Sequence, residues 1–139
     1  MPADDRIAGA VRAALVKDGW TITDDPLTVE YEDLYVFVDL AGERTIAAER
    51  GADRVAVEIK SFPSRSLVAD LHDAVGQYMV YRTLLGQTDP GRTLYLAVTA
   101  EVYDKLMRKG AVRFVLATLH ISMVVIDEGA EEVVSWIRY

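Results

Sequence analysis

The sequence contains no cysteine. That absence excludes disulfide bonds, zinc sites built on thiolates and thiol nucleophiles. No apolar run approaches the roughly 20 residues of a membrane-spanning helix, and the first residues lack the basic-then-apolar order of a signal peptide. We therefore expect a cytoplasmic protein that does not insert into a membrane.

Positive charge is also scarce, with 15 Lys and Arg against 22 Asp and Glu, a net charge of −7. Nonspecific coating of DNA requires clustered cations, so this balance argues against it. The stretch Glu101–Arg113 is locally basic but lies far along the chain from the acidic motif described below. With 139 residues, of which 51% are hydrophobic, the chain is long enough for one domain, 1–139, with its own core.

Apolar periodicity predicts a succession of helices and short strands. A first helix over about Asp5–Asp18 and a long helix over Leu67–Leu85 each have one apolar face. Alternation and turn residues predict strands at Trp20–Thr23, Leu27–Tyr31, Leu34–Leu40, Thr45–Glu49, Thr93–Val98 and His120–Asp127. Residues 114–119 are open between helix and strand, and Glu132–Arg138 is a strand or a short helix. The order predicts an α/β fold with a mixed sheet.

The most informative segment is Arg-Val-Ala-Val-Glu-Ile-Lys-Ser-Phe, residues 54–62. The strand period of two places Glu58 and Lys60 on one face and turns Ile59 to the other. Asp39 ends the Leu34–Leu40 strand, whose nearly continuous apolar run is typical of a strand covered on both faces. Charges on a buried strand are costly unless they pair or bind a ligand. A solvated cross-strand pair on an exposed edge is the alternative for Glu58 and Lys60.

Carboxylates at two strand ends are typical ligands of a hard divalent cation, Mg²⁺ or Mn²⁺. Asp39 and Glu58 would provide them, with the carbonyl of Ile59 as a third oxygen. Lys60 could orient or deprotonate a water, or steady developing negative charge. Phosphodiester hydrolysis requires these roles and no covalent protein nucleophile.

The long helix adds Gln77 and Tyr81, which are four residues apart and therefore share a face. They either approach the motif strand or form an ordinary amphipathic boundary. We interpret Asp70 and Asp73 as solvated helix charges. Glu49 is either an extra acidic ligand or the partner of Arg44, Arg50 or Arg54.

An Asp followed by Glu-x-Lys and a long helix resembles the signature of the PD-(D/E)XK nucleases. The resemblance implies a restriction-endonuclease-like αβββαβ core, here with a C-terminal αβ extension. The Gln77-x-x-x-Tyr81 spacing is similar to that of superfamily members related to Holliday-junction resolvases.

Seven segments together resemble the XisH family, the excision controlling factor of the cyanobacterial fdxN element: Ala14–Leu27, Val38–Arg44, Ala47–Gly51, Val57–Phe62, Gly76–Leu85, Leu94–Val98 and Val134–Ile137. Proteins resembling this one often have His-Asp or His-Asn where this chain has Ala8-Gly9. The nuclease-like positions implied by the resemblance are Asp39, Glu58 and Lys60, with Gln77 as an accessory.

The family resemblance implies a role beside a site-specific recombinase in excising a DNA element, and a small partner protein, XisI. Two functions remain open. The first is a metal-dependent nuclease that acts on DNA. The second is a non-catalytic scaffold of the same fold that binds a XisI-like partner and a recombinase. A homo-oligomer is compatible with either.

Overall fold

The computed structural model describes residues 3–37, 44–63 and 65–139. Its elements are, in chain order, α1 (Ala3–Lys17), β1 (Thr21–Asp24), β2 (Thr28–Tyr31), β3 (Leu34–Phe37), β4 (Arg44–Arg50), β5 (Asp53–Ile59), α2 (Leu67–Thr88), β6 (Arg92–Thr99), α3 (Ala100–Met107), α4 (Gly110–Thr118), β7 (Met123–Asp127) and β8 (Glu132–Ile137). None of the helices in these ranges is both long and apolar enough to cross a membrane.

Six strands of the described chain form one mixed sheet in the order β1-β4-β5-β6-β7-β8. β5, β6 and β7 are parallel, and the other neighbours in this sheet are antiparallel. The main sheet therefore follows the order of helix, three antiparallel strands, helix and parallel strand, with α3, α4, β7 and β8 as the C-terminal extension. The predicted α/β fold with a mixed sheet is confirmed.

The strand predicted at Leu34–Leu40 is confirmed for its described residues Leu34–Phe37, but the expectation that it is covered on both faces is wrong. Residues Leu34–Phe37 form β3, which pairs only with β2 in a separate two-stranded sheet, and Leu34 is 47% exposed. In the main sheet the antiparallel neighbour of β5 is β4, and its parallel neighbour is β6. The β2–β3 hairpin leaves the main sheet after β1 and packs on α2 through the buried Val29. Local apolar content cannot distinguish a central strand from a hairpin that covers a helix.

The main sheet separates two apolar clusters. On one face, α1 packs against Val55, Val57 and Ile59 of β5. On the other face, α2, α3 and α4 pack against the cluster that contains Ala56. The alternation of β5 between two helical layers buries the strand on both sides, which places β5 at the centre of the molecule.

Hydroxyl side chains cap two of the helices. Ser66 caps α2 by accepting a hydrogen bond from Ala69 N at 3.1 Å, and Thr99 caps α3 by accepting one from Val102 N at 3.2 Å. The ambiguous residues 114–119 belong largely to α4, and 132–137 form a strand. β7 begins three residues later than predicted because α4 ends in a turn at His120, whose φ is +54°.

Candidate active site

Glu58 and Lys60 lie on and just beyond the central strand β5. Glu58 is in register with Thr45 of β4 and Leu96 of β6, and only 2% of its surface is exposed. Lys60 is 4% exposed, and its amide donates to the carbonyl of Ala97 at 3.2 Å. Ile59 packs on the α1 face, so Glu58 and Lys60 project toward α2 as the strand period predicts. The alternative of a solvated pair on an exposed edge is wrong.

The ammonium of Lys60 donates a hydrogen bond to Oδ2 of Asp73 on α2 at 3.1 Å. The Asp73 side chain is 57% exposed, although the lysine it contacts is buried. Asp73 is thus a solvated helix charge, as interpreted from the sequence, that also pairs with Lys60. Sequence reasoning missed this contact, although the spacing 73, 77, 81 was a signal, since residues four apart share a helix face.

Asp73, Gln77 and Tyr81 form a stripe along α2. α2 runs opposite to β5, because it connects the end of β5 to the start of the parallel β6. One helical step from Asp73 to Gln77 rises about 6 Å, and two strand residues span roughly 6.6 Å. Since Asp73 contacts Lys60, this places Gln77 about level with Glu58.

Whereas the Asp73 side chain is exposed, several polar atoms beside it are shielded from solvent. Both carboxylate oxygens of Glu58, Oε1 of Gln77 and the hydroxyl of Tyr81 are buried atoms, and Tyr81 is 1% exposed. The interpretation of Gln77 and Tyr81 as a solvated boundary is therefore wrong for these atoms. A catalytic role for Gln77 stays a prediction.

Asp39 lies outside the described residues, so its approach to Glu58 stays a prediction. The described residues hold no group of three His, Asp or Glu side chains arranged to bind a metal ion. Of the oxygen ligands predicted from the sequence, the structure describes the Glu58 carboxylate and the Ile59 main-chain carbonyl, and the Asp73 carboxylate lies nearby on Lys60. Carboxylate and carbonyl oxygens are hard ligands that suit Mg²⁺ or Mn²⁺, and a further carboxylate such as that of Asp39 is needed to complete the set.

Glu49 is not part of this group. It lies opposite Arg54 at the far end of β5, which is about 13 Å along the strand from Glu58. Its carboxylate is 3.9 Å from the guanidinium of Arg92 and is 45% exposed. Glu49 thus pairs with an arginine of β6, which lies far along the sequence, and the idea of Glu49 as an extra metal ligand is wrong.

Tyr78 holds α2 against the sheet next to the site. Its buried hydroxyl donates to the carbonyl of Leu94 at 2.9 Å and accepts from the amide of Ser122 at 3.1 Å. Burial raises the pKa of Tyr78, and the hydrogen bond from Ser122 and the charge of Arg82 offset only part of that rise. The phenol therefore remains a neutral hydrogen-bonding group that fixes α2 on β6 and β7.

Asp89 anchors the other end of α2. Its carboxylate is 2.7 Å from Arg54 of β5 and accepts a hydrogen bond from Nε of Arg92 at 2.8 Å. Burial raises the pKa of Asp89, but the hydrogen bond and charge of Arg92, together with the charge of Arg54, outweigh it and leave the pKa below its ordinary value. The two ends of α2 are thus tied to β5 through Asp73 and Asp89.

Comparison with known proteins agrees with this architecture. The family model described as XisH protein matches residues 1–134. The chain belongs to the XisH family. No curated protein matches the chain.

Two solved structures are similar to this XisH-family chain. An XisH family protein from Nostoc punctiforme PCC 73102 is 35% identical, with a TM-score of 0.88, over 96% of this chain and 100% of that one. A fdxN element excision controlling factor protein from Anabaena variabilis is 36% identical, with a TM-score of 0.88, over 96% of this chain and 99% of that one. The family predicted from the sequence segments is confirmed.

Proposed function

We propose that this XisH-family chain acts in the excision of a DNA element and hydrolyses phosphodiester bonds there with Mg²⁺ or Mn²⁺. The observation that carries the proposal is the burial of Glu58 and Lys60 on one face of the central strand. Burying a carboxylate and an ammonium is costly unless each of them is paired or binds a ligand. The name of the similar Anabaena variabilis protein supports the excision context.

Asp39, Glu58 and the carbonyl of Ile59 would hold the cation. When bound, the cation would supply Lewis-acid activation of the phosphoryl group and of a water molecule. The donors of the described part suit such an ion, because carboxylate and carbonyl oxygens are hard ligands.

Lys60 would stabilise the negative charge that develops at the attacked phosphate. Its ammonium is fixed by Asp73 at 3.1 Å, and a preorganised cation stabilises a developing anion better than a mobile one does. The ammonium carries three N–H donors, so it can contact Asp73 and an oxygen of the substrate together. Gln77, one helical turn along α2 from Asp73, would orient the water or the phosphate by hydrogen bonds.

The deciding experiment measures cleavage of branched and linear DNA with Mg²⁺, Mn²⁺ or EDTA, with and without a XisI-like partner. We expect metal-dependent cleavage that Lys60→Met and Glu58→Gln abolish while circular dichroism shows an intact fold. Lys17→Ala is the matched control, since Lys17 is exposed on α1 and bonds only the carbonyl of Ala130 among the described residues. Undiminished cleavage by Lys60→Met would remove the nuclease assignment.

A second candidate is a non-catalytic scaffold that binds a XisI-like protein and a site-specific recombinase. The Lys60–Asp73 pair favours it, because an ion pair inside the protein can stabilise Lys60 without any substrate. The net charge of −7 also favours it, since an acidic chain meets DNA unfavourably. Light scattering with the XisI-like protein would report both a complex and a homo-oligomer. A scaffold keeps partner binding in Lys60→Met and shows no cleavage in any condition.

A further inference from the structure

A groove of about 450 Å³ opens between the loop that follows Lys60 and helix α3. We name it the basic groove, because its rim carries the four cations Arg65, Lys105, Arg108 and Lys109. Phe62 and Leu67 provide apolar surface inside it, and among the described residues Asp70 is the one acidic side chain that lines it. The groove therefore combines a cationic rim with an aromatic wall.

The cations of the basic groove are available to a ligand. Within the described residues, no carboxylate lies within 4 Å of the charged groups of Arg65, Arg108 or Lys109, and all three side chains are exposed. Lys105 is 3.7 Å from Glu101, and both of these side chains are largely exposed, so that pair is weak. Four cations against one carboxylate contrast with the net charge of −7 of the chain. Such a local excess attracts phosphate.

The groove lies at the same sheet edge as the motif. β5 ends at Ile59 and leads through Lys60 to Phe62, and β6 ends at Thr99, where α3 begins. Because β5 and β6 are parallel, their carboxyl ends meet at one edge, where α/β sheets commonly bind ligands. The basic stretch that is distant from Glu58 in the sequence therefore lies at the same edge of the sheet as the end of the motif strand.

The shape and lining favour one nucleic-acid strand as the occupant. A duplex is too wide to enter a groove of this size, whereas a single strand can place its phosphates on the rim and a base on Phe62. Positive grooves with aromatic side chains are the usual means of binding single strands. We propose that the basic groove binds one phosphodiester strand and leads it to Glu58 and Lys60, which selects DNA with single-stranded arms. This inference rests on the proposed function and names its substrate class.

The test is a fluorescence anisotropy titration of labelled single-stranded (dT)15 and of a duplex of equal length, in EDTA at several salt concentrations. Arg108→Ala with Lys109→Ala removes two rim charges. Arg6→Ala with Lys17→Ala removes two exposed charges from α1 on the other face of the sheet and is the matched control. We expect the rim variant to lose about tenfold in affinity for (dT)15, and the slope of log K against log salt to become shallower by about 1.4. The control should bind (dT)15 like the unmodified protein.

Phe62→Leu separates stacking from charge. It should weaken (dT)15 binding without changing the salt slope, because no cation is removed. Equal binding by the rim variant and the control would overturn the proposal. So would a preference for the duplex, or stronger displacement of the probe by polyglutamate than by unlabelled (dT)15, since the groove would then be a site for acidic peptides.

Cleavage assays on the same proteins distinguish the two proposals. Binding that depends on the rim, without cleavage by the unmodified protein, supports the groove and removes the hydrolytic function. If the rim variant and the unmodified protein cleave a DNA with single-stranded arms equally, the strand-binding proposal is rejected and the hydrolytic function is kept. If the rim variant loses binding and cleavage while the control variant keeps them, the result supports the strand-binding proposal and the hydrolytic function together.

Discussion

The ammonium of Lys60 lies 3.1 Å from the carboxylate of Asp73, across the interface between β5 and α2. Lys60 is buried to 4% exposure, while the Asp73 side chain is 57% exposed. A carboxylate at the surface thus pairs with a buried lysine. The contact connects the motif strand to the helix that follows it, and it fixes the direction of the Lys60 side chain.

Asp73→Ala should lower the free energy of unfolding by about 1–2 kcal/mol. A buried ammonium would lose a charged hydrogen-bond partner, and the exposure of Asp73 keeps the loss below that of a fully buried pair. Urea denaturation of a double-mutant cycle with Lys60→Met measures the coupling. An equal cost of Asp73→Ala in the Lys60→Met background would show that the pair does not stabilise the fold.

Gln77→Ala should reduce metal-dependent cleavage by about tenfold or more, because an oriented hydrogen-bonding group would be lost from the site. Gln87→Ala is the matched control, since Gln87 is exposed on the same helix. Initial rates of cleavage, with unfolding measured in parallel, separate catalysis from stability. If both glutamine variants cleave at the rate of the unmodified protein, Gln77 has no role in the reaction.

Asp89→Asn should cost about 1–2 kcal/mol at pH 7. The folded pKa of Asp89 is depressed, so its ionised form contributes stability above the unfolded pKa of about 3.9. That contribution falls as the pH drops from about 4 through the lower folded pKa. The difference in unfolding free energy from the unmodified protein should therefore shrink in this acid range.

The control for Asp89 is Asp104→Asn, because Asp104 is exposed and has no ion pair within 4 Å in the described ranges. Asp104→Asn should change the free energy of unfolding little. Denaturant titrations at pH 7 and pH 3 make the comparison. A pH-independent cost of Asp89→Asn would mean that charge does not anchor the end of α2.

Tyr78→Phe should destabilise the protein by roughly 1–3 kcal/mol, because the buried carbonyl of Leu94 and amide of Ser122 would both lose their contact with the hydroxyl. Tyr103→Phe, on the partly buried face of α3, should cost much less. Thermal and urea unfolding measure both variants. Equal costs would show that the two hydrogen bonds of Tyr78 add nothing to the packing of its ring.

Much of the site was predictable from the sequence. The period of two placed Glu58 and Lys60 on one face, and the two helical layers that bury β5 confirm it. The four-residue spacing placed Gln77 and Tyr81 on one face of α2, and the structure buries Tyr81 and the Oε1 atom of Gln77. These features depend on neighbours a few residues apart, so local geometry is enough to specify them.

The tertiary structure decided the rest. It decided that β4 and not β3 pairs with β5. It also brought together Asp73 with Lys60, Glu49 with Arg92, and Arg65 with Lys105 in one groove. All of these contacts depend on which elements pack together. The sequence by itself determined the family, most of the elements and the faces of the motif strand. It could not determine these contacts, because they join residues distant along the chain, and their energies depend on the distance and burial reached only after folding.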